Sequence, residues 1–257
     1  ANAEIGNPNK EKLIKEQFNS ITFGNELKPN CNFDPNSPTL FKIDNSAKTL
    51  LDFAKENDIG VRGHVLVWHS QTSSAFFAKD FAPTVGGEPT TQDSDKVTLD
   101  AECLVDEATL LARLKTYIYG AIEYTYANGY ADVIYAWDVV NEAADENRQD
   151  GLRDSYYYKI IGPEYLYYSF LYAREAVDMY SKQYAADYGL DPSGDLSDIQ
   201  PALFYNDYNE WFGNKSDAII NFLTKVKFNE GHTINSDVIN PEGDGTIFGD
   251  GLLDGIG

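Results

Sequence analysis

Four short segments carry the side chains best suited to chemistry, and each follows an apolar run. Gly24-Asn25-Glu26-Leu27-Lys28 comes after Ser20–Phe23, and Trp68-His69-Ser70-Gln71 closes the run that starts at Gly60. Asn141-Glu142 ends Val133–Val140, and Asn206-Asp207-Tyr208-Asn209-Glu210 follows Ala202–Tyr205. Amides, carboxylates and aromatic rings together describe a pocket for a neutral ligand rich in hydroxyl groups. Glu142 is the best general-acid candidate. It sits at the rim of a buried run, where apolar neighbours disfavour a charged carboxylate and raise its pKa toward the range useful for protonating a leaving group. A solvated glutamate opening the acidic turn with Asp145 and Glu146 is the equally open alternative.

Acid-assisted cleavage of a glycoside normally needs a second carboxylate, about 5–5.5 Å from the first in a retaining enzyme. Asp207, Glu210 and Glu26 are the candidates, although Asn206 and Tyr208 beside Asp207 point to a structural hydrogen-bonding role. His64 lies in mid-strand, where a histidine is usually a satisfied core residue; nearby Trp68 and Gln71 tilt it toward the pocket. Three histidines without a His-x-x-x-His pair offer no catalytic metal site, so no cofactor is expected. The acidic stretches 191–198 and 244–250 lack the EF-hand spacing and read as solvated loops. Cys31 and Cys103 leave a disulfide open.

The elements that must position these residues alternate. Five β-type runs (the four above and Leu252–Ile256) are separated by helical periodicities at Ser46–Asn57, Asp106–Asn128, Glu164–Tyr188 and Ser216–Asn229, with an early helix at Lys10–Phe18. Asn45 or Ser46 is the expected N-cap of the first of these, and Gly129, Gly189 and Gly231 close the others. Near-continuous apolar strands alternating with helices mean parallel pairing with right-handed crossovers. No Gly-x-Gly-x-x-Gly or phosphate loop follows any strand, which disfavours an open nucleotide-binding sheet. The α/β class is therefore expected as a (β/α)8 TIM barrel, one domain over residues 1–257. It is incomplete, because eight strands are needed in typically about 250 residues and long loops at 79–105, 191–200 and 234–248 consume length.

Twenty basic against 41 acidic residues give a net charge of −21, which repels nucleic acid and anionic lipid. Aromatic residues reach 14%, most of them expected in the core and some available to stack on sugar rings. No apolar run approaches the ~20 residues of a membrane span. The chain starts without Met or a visible signal segment, which leaves a cleaved leader open.

Taken in order, the motifs resemble glycoside hydrolase family 10. Phe18-Asn19-Ser20-Ile21-Thr22 leading to Asn25 and Lys28 is similar to the family's opening block. Val61-Arg62-Gly63-His64-Val65-Leu66-Val67-Trp68-His69-Ser70-Gln71 resembles its second unit, Trp137-Asp138-Val139-Val140-Asn141-Glu142 its acid/base strand, and Tyr205-Asn206-Asp207-Tyr208-Asn209 the next. The resemblance implies retaining endo-β-1,4-xylan hydrolysis by a secreted enzyme. It implies Glu142 as acid/base and Asn141 on the sugar 2-hydroxyl. Asn25, Lys28, His64, Trp68 and Gln71 would line the glycone side, with Tyr208 near the pocket. Two departures stand out. Gly24 occupies a position where the family often has Glu, and Glu26 is the nearest replacement. The family's nucleophile lies on a seventh strand, whereas the tail Gly255-Ile256-Gly257 resembles the sixth, so the first, seventh and eighth strands are expected to be missing. A second chain completing the barrel is then an expected partner, beside xylan or xylo-oligosaccharides. The alternatives are a non-catalytic carbohydrate-binding barrel fragment and a β-1,4-glucanase on the same fold.

Overall fold

The computed structural model describes residues 5–225, 247 and 251–257. Helix α1 (Pro8–Gln17) is capped by the Asn7 side chain, which accepts from the N–H groups of Asn9 and Lys10. Strand β1 (Ser20–Thr22) and the single turn α2 (Pro29–Asn32) follow. Helix α3 (Asn45–Glu56) is capped by Asp44, and not by Asn45 or Ser46 as its sequence leads one to expect. The Asp44 carboxylate sits in extended backbone and accepts from Ser46 N–H at 2.7 Å and Ala47 N–H at 3.4 Å, an N-cap geometry that starts the helix one residue early. Leu50, Leu51, Phe53 and Ala54 form its buried face.

The next strand, β2, covers Gly60–Trp68 as expected. The long connection after it is folded rather than loose. Strands β3 (Thr84–Val85) and β4 (Glu88–Pro89) form a small hairpin whose turn is held by Asp100, a carboxylate accepting from the N–H groups of Gly86 and Gly87. Arg113 reaches in from helix α4 (Glu107–Ala127) and donates to the carbonyls of Phe76 and Ala78 at 2.9 and 2.8 Å. The stretch read from sequence as a long loop is thus ordered by its own Asp100 and by groups from outside it, the Arg113 guanidinium over the Phe81 ring and the Tyr156 hydroxyl on Leu99 N–H, which local patterning does not reveal.

Strand β5 (Ile134–Asn141) leads to a short helix α5 (Tyr156–Ile161), which periodicity did not disclose, and then to α6 (Tyr165–Tyr184). The final turn of α6, expected to run helically to Tyr188, tightens into a 3-10 segment (Ala185–Tyr188) ended by Gly189 at φ 72. Strand β6 (Ala202–Asn206), helix α7 (Gly213–Lys225) and strand β7 (Gly255–Ile256) complete the described elements. The last strand is shorter than the expected Leu252–Ile256, and Leu252 and Leu253 are buried ahead of it. The expected α7 terminus at Asn229 and Gly231, and most of the acidic stretch 244–250, lie outside the described residues.

The main sheet is parallel throughout, in the order β1-β2-β5-β6-β7. Each strand lies beside the next in chain order, with no reversal of direction of winding. A doubly wound sheet reverses at a switch point, whereas a (β/α)8 barrel does not. Five strands of such a barrel are therefore present. Close packing locks the arc: a Cβ on Gly63 would come within 2.3 Å of the buried Trp137 ring, so only glycine lets β2 pass beneath that indole. Tyrosines fill the helical layer, with Tyr126 packed against Tyr180, Tyr184 and Tyr188 between α4 and α6.

Candidate functional site

The C-terminal ends of the parallel strands share one face, and the polar segments gather there. Glu142 follows the last residue of β5 and takes a left-handed φ of 53. Gln71 (φ 48) beyond β2 and Asn209 (φ 60) beyond β6 do the same. Such backbone costs a non-glycine residue on the order of 1–3 kcal/mol, and surrounding contacts must hold it in place. Around Glu142 those contacts are visible. Its N–H donates to Asn206 O at 2.8 Å, Arg153 Nε donates to its carbonyl at 3.0 Å, and Arg153 Nη2 to Ala144 O at 3.2 Å. The carboxylate, half-buried, accepts a hydrogen bond from the Trp68 indole at 3.2 Å. It is therefore held by a side chain from β2 and is less exposed than Glu146 of the acidic turn that follows.

Beside it lies a polar cluster from the first two strand ends. Lys28 is 9% exposed, and its ammonium donates to Gln71 Oε1 at 2.7 Å and Asn25 Oδ1 at 2.9 Å while lying 4.8 Å above the Trp68 ring. Gln71 Nε2 also donates to Asn25 Oδ1 at 3.3 Å. Burial pulls the Lys28 ammonium below its ordinary pKa, and Cys31, Glu142 and Glu26 act in the opposite direction. The cluster's scaffold is buried Asn32, which donates to the carbonyls of Glu26 and Lys28 and accepts from Asp44 N–H. Asn30 N–H bonds Gln71 O at 2.8 Å, tying the two loops together.

His64 is partly exposed on β2, with one ring nitrogen engaged. Its Nδ1 lies 2.8 Å from Asp138 Oδ2, and Asp138 Oδ1 takes Arg62 Nε at 2.8 Å together with Arg62 Nη2. Arg62 in turn lies over the Phe204 ring. Asp138 and Arg62 were not singled out from sequence. The available signal was the two-residue spacing of Arg62 and His64, which puts both on one face of β2; pairing of His64 with Asp138 across to β5 depends on the register. Asn141 is buried, and its side-chain oxygen accepts from Asn206 Nδ2 at 2.7 Å.

The opposite flank is built differently. Asp207 is buried and bonded to the Tyr205 hydroxyl, to Ala144 N–H at 3.2 Å and to the fully buried Lys215 ammonium at 2.9 Å. Tyr205 Oη also accepts from the N–H groups of Ala143 and Ala144, so this network holds the backbone just past Glu142. Burial first, then the Asp207 charge, pushes the Tyr205 phenol far up, keeping it a neutral donor. Asp207 is thus structural, as its amide and aromatic neighbours implied. Tyr208 stands apart from the Lys28 cluster, 48% exposed, with Lys215 Nζ 4.0 Å over its ring.

The family model for glycosyl hydrolase family 10 matches residues 1–236. The chain belongs to that family. It is 37% identical over 223 residues to endo-1,4-beta-xylanase A of Caldicellulosiruptor sp. (strain Rt8B.4), covering 87% of this chain and 26% of that protein. It is 35% identical to endo-1,4-beta-xylanase A of Thermotoga maritima, over 86% of this chain and 17% of that one. A psychrophilic family 10 endo-beta-1,4-xylanase superposes with a TM-score of 0.61 at 30% identity, covering 87% of this chain and 55% of the other. A Clostridium thermocellum xylanase with CBM22-1 and GH10 modules, complexed with xylohexaose, gives 0.69 at 28%, over 99% and 41%. The chain therefore spans about half or less of the lengths of these relatives.

Against that family 10 background, Gly24 departs from the expected glutamate, and a Cβ there would meet nothing within 4 Å. Glu26, the nearest carboxylate in sequence, accepts from Asn25 N–H at 3.0 Å and supports the charged form of Lys28. Cys31 and Cys103 are free thiols. Among the described residues no group of three or more His, Cys, Asp or Glu side chains is arranged to hold a metal, and no helix is long and apolar enough to cross a membrane. His69, part of the segment closing β2, was given no role from sequence. Burial, reinforced by Arg153, lowers its pKa to about 4.

Proposed function

We propose that this family 10 chain carries the acid/base half of a retaining endo-1,4-β-xylanase, with Glu142 as the proton donor. The carrying observation is the Glu142 carboxylate, fixed by the Trp68 indole beside the hydrogen-bonded Lys28–Asn25–Gln71 cluster. Glu142 protonates the glycosidic oxygen as the bond from that oxygen to the anomeric carbon breaks. A second carboxylate attacks the anomeric carbon, and Glu142 then takes a proton from the water that releases the sugar. Lys28, Asn25, Gln71 and His64 hold the glycone hydroxyls, Asn141 the 2-hydroxyl, Trp68 a sugar face, and Tyr208 borders the leaving-group side. Hydrogen bonds that tighten as charge develops on the sugar would contribute to rate.

The nucleophile is proposed to lie outside these 257 residues. Asp138 is committed to Arg62 and His64, Asp207 to Lys215 and Tyr205, and Glu26 to its own loop. The names and titles of the relatives, all xylanases, support xylan as substrate. The reading is tested by reducing-sugar release from xylan and from a β-1,4-glucan. The protein would be assayed alone and with a segment completing the barrel, each with and without Glu142→Gln. Xylan cleavage that requires the added segment and disappears in the variant is expected. Oligosaccharide binding without turnover in every combination would instead favour a carbohydrate-binding barrel.

A further inference from the structure

We propose that Asp93, Ser94 and Asp95, on the connection between β4 and α4, are positioning residues for glycone recognition: together they hold the backbone that aims Gln71 at the Lys28 ammonium. The proposal rests on the xylan-cleaving reading above, in which Gln71 meets the sugar. Gln71 needs such a hold. Its backbone is left-handed at φ 48, a conformation that a non-glycine residue keeps only where its neighbours impose it. Its side chain must at the same time accept from Lys28 Nζ at 2.7 Å and donate to Asn25 Oδ1 at 3.3 Å.

The three residues grip Gln71 from both sides. One position before it, Ser70 Oγ donates to Asp95 Oδ2 at 2.7 Å. One position after it, Thr72 O accepts from Ser94 N–H at 2.8 Å. The Gln71 carbonyl accepts from Asn30 N–H at 2.8 Å, and Asn30 is anchored in turn by its side-chain amide, which donates to Asp93 Oδ2 at 3.1 Å. An antiparallel bridge between Ser73 and Asp93, with Ser74 N–H bonded to Gln92 O at 3.3 Å, fixes the register of the two segments. The turn at 93–96 closes on itself through Lys96 N–H and Asp93 O at 3.0 Å, so the bonds to Asn30 and to 70–74 are additional to its own folding.

The same hold reaches toward the proton donor. Ser94 is buried, and its hydroxyl donates to His69 O at 3.4 Å, while Thr72 Oγ1 donates to Trp68 O at 2.6 Å. Trp68 is the residue whose indole donates to Glu142 at 3.2 Å and over whose ring Lys28 Nζ lies at 4.8 Å. Each residue from Trp68 to Thr72 is thus tied by one of these bonds. Burial works against the charge on Asp95, but Lys96 at 2.6 Å and the Ser70 hydroxyl hold its carboxyl below the usual carboxylate range, so it stays an acceptor.

The test uses the 257-residue protein with Asp95→Ala, Asp95→Asn and Gln71→Ala singly, and with Asp95→Ala joined to Gln71→Ala. Calorimetric titration with xylotriose should show a loss of roughly 3- to 10-fold in affinity for Asp95→Ala, the scale of one hydrogen bond. Asp95→Asn should restore most of it, because an amide oxygen still accepts from Ser70. In the Gln71→Ala background the Asp95→Ala change should cost nothing further, a pattern that general loosening of the fold does not reproduce. Amide hydrogen exchange gives a reading that needs no sugar. Asn30 N–H should exchange roughly 10-fold faster in Asp95→Ala, with the amide of buried Ile118 in α4 unchanged. Equal affinity losses in both backgrounds, or unchanged exchange at Asn30, overturn the positioning role. Failure of the parent protein to bind xylotriose, with exchange at Asn30 selectively faster in Asp95→Ala, overturns the xylan reading and leaves the hold on Gln71 standing.

Discussion

The two flanks of Glu142 handle polar groups in opposite ways. On the β1–β2 side, Lys28, Asn25 and Gln71 bond one another at the pocket surface, where a ligand's hydroxyls can exchange with them. On the β6 side the polar groups are withdrawn into a dry network of Asp207, Lys215 and Tyr205, and the surface is left to Tyr208, Trp211 and Phe212. One flank is suited to recognising hydroxyls by direction, the other to holding the backbone just past Glu142 in place. One polar network is open to a ligand while the other supports the residue between them.

The largest effect should come from the residue between the flanks. In the protein combined with a segment completing the barrel, Glu142→Gln is expected to reduce xylan turnover by about 10²–10⁴-fold, the usual contribution of a general acid/base, while oligosaccharide binding persists. Loss of binding with turnover retained would break the assignment. Next, Asp207→Ala should destabilise the fold by roughly 3–5 kcal/mol, because the buried Lys215 charge would lose its 2.9 Å partner and keep only Glu146 at 3.9 Å. Chemical denaturation would read this, and a change below 1 kcal/mol would mean that the β6 network is not the support described. Exchanging Lys28 for Ala removes only hydrogen bonds at the pocket surface and should cost far less stability than Asp207→Ala, while weakening xylotriose. That contrast is the direct check on the two flanks.

His69 reports on the ground between them, since its ring packs edge-on against Trp68 and feels Arg153, Asp95, Asp207 and Lys215. Its folded pKa of about 4 lies below the ordinary 6.5. Between those values the unfolded chain binds more protons, so the stability contributed by neutral His69 is fully present above pH 6.5 and is lost as pH falls toward 4. The total is on the order of 3 kcal/mol. His69→Gln should flatten the stability profile across that window. An unaltered acid limb would show that His69 is not held neutral by its surroundings.

Much of the fold was legible because its signals are local. Gly60–Trp68 reads as a strand from its apolar run, and Glu107–Ala127 as a helix from its periodicity and terminal glycine. The short helix Tyr156–Ile161 escaped notice because one and a half turns are too few to establish a period. The connection at 79–105 escaped because part of its order comes from Arg113, lying over the Phe81 ring, and Tyr156, bonded to Leu99 N–H, which reach it from elsewhere. In the site, Glu142, Asn141, Trp68, Lys28, Asn25 and Gln71 were visible as polar residues ending apolar runs. The partnership of His64 with Asp138 and Arg62 was not, because strand register joins residues more than 70 positions apart.

The sequence by itself determined the alternation of strand and helix, the gathering of amides, carboxylates and aromatic rings at the strand ends and the family, since each rests on residue type and spacing. Only the tertiary structure decided which polar groups face a ligand and which are consumed in holding others. Lys28 and Lys215 are both buried lysines following strands. One meets amides at the open end of the pocket, and the other is sealed against Asp207. Their difference is one of solvent exposure and partner, set by where the chain packs and not by the residue it places there.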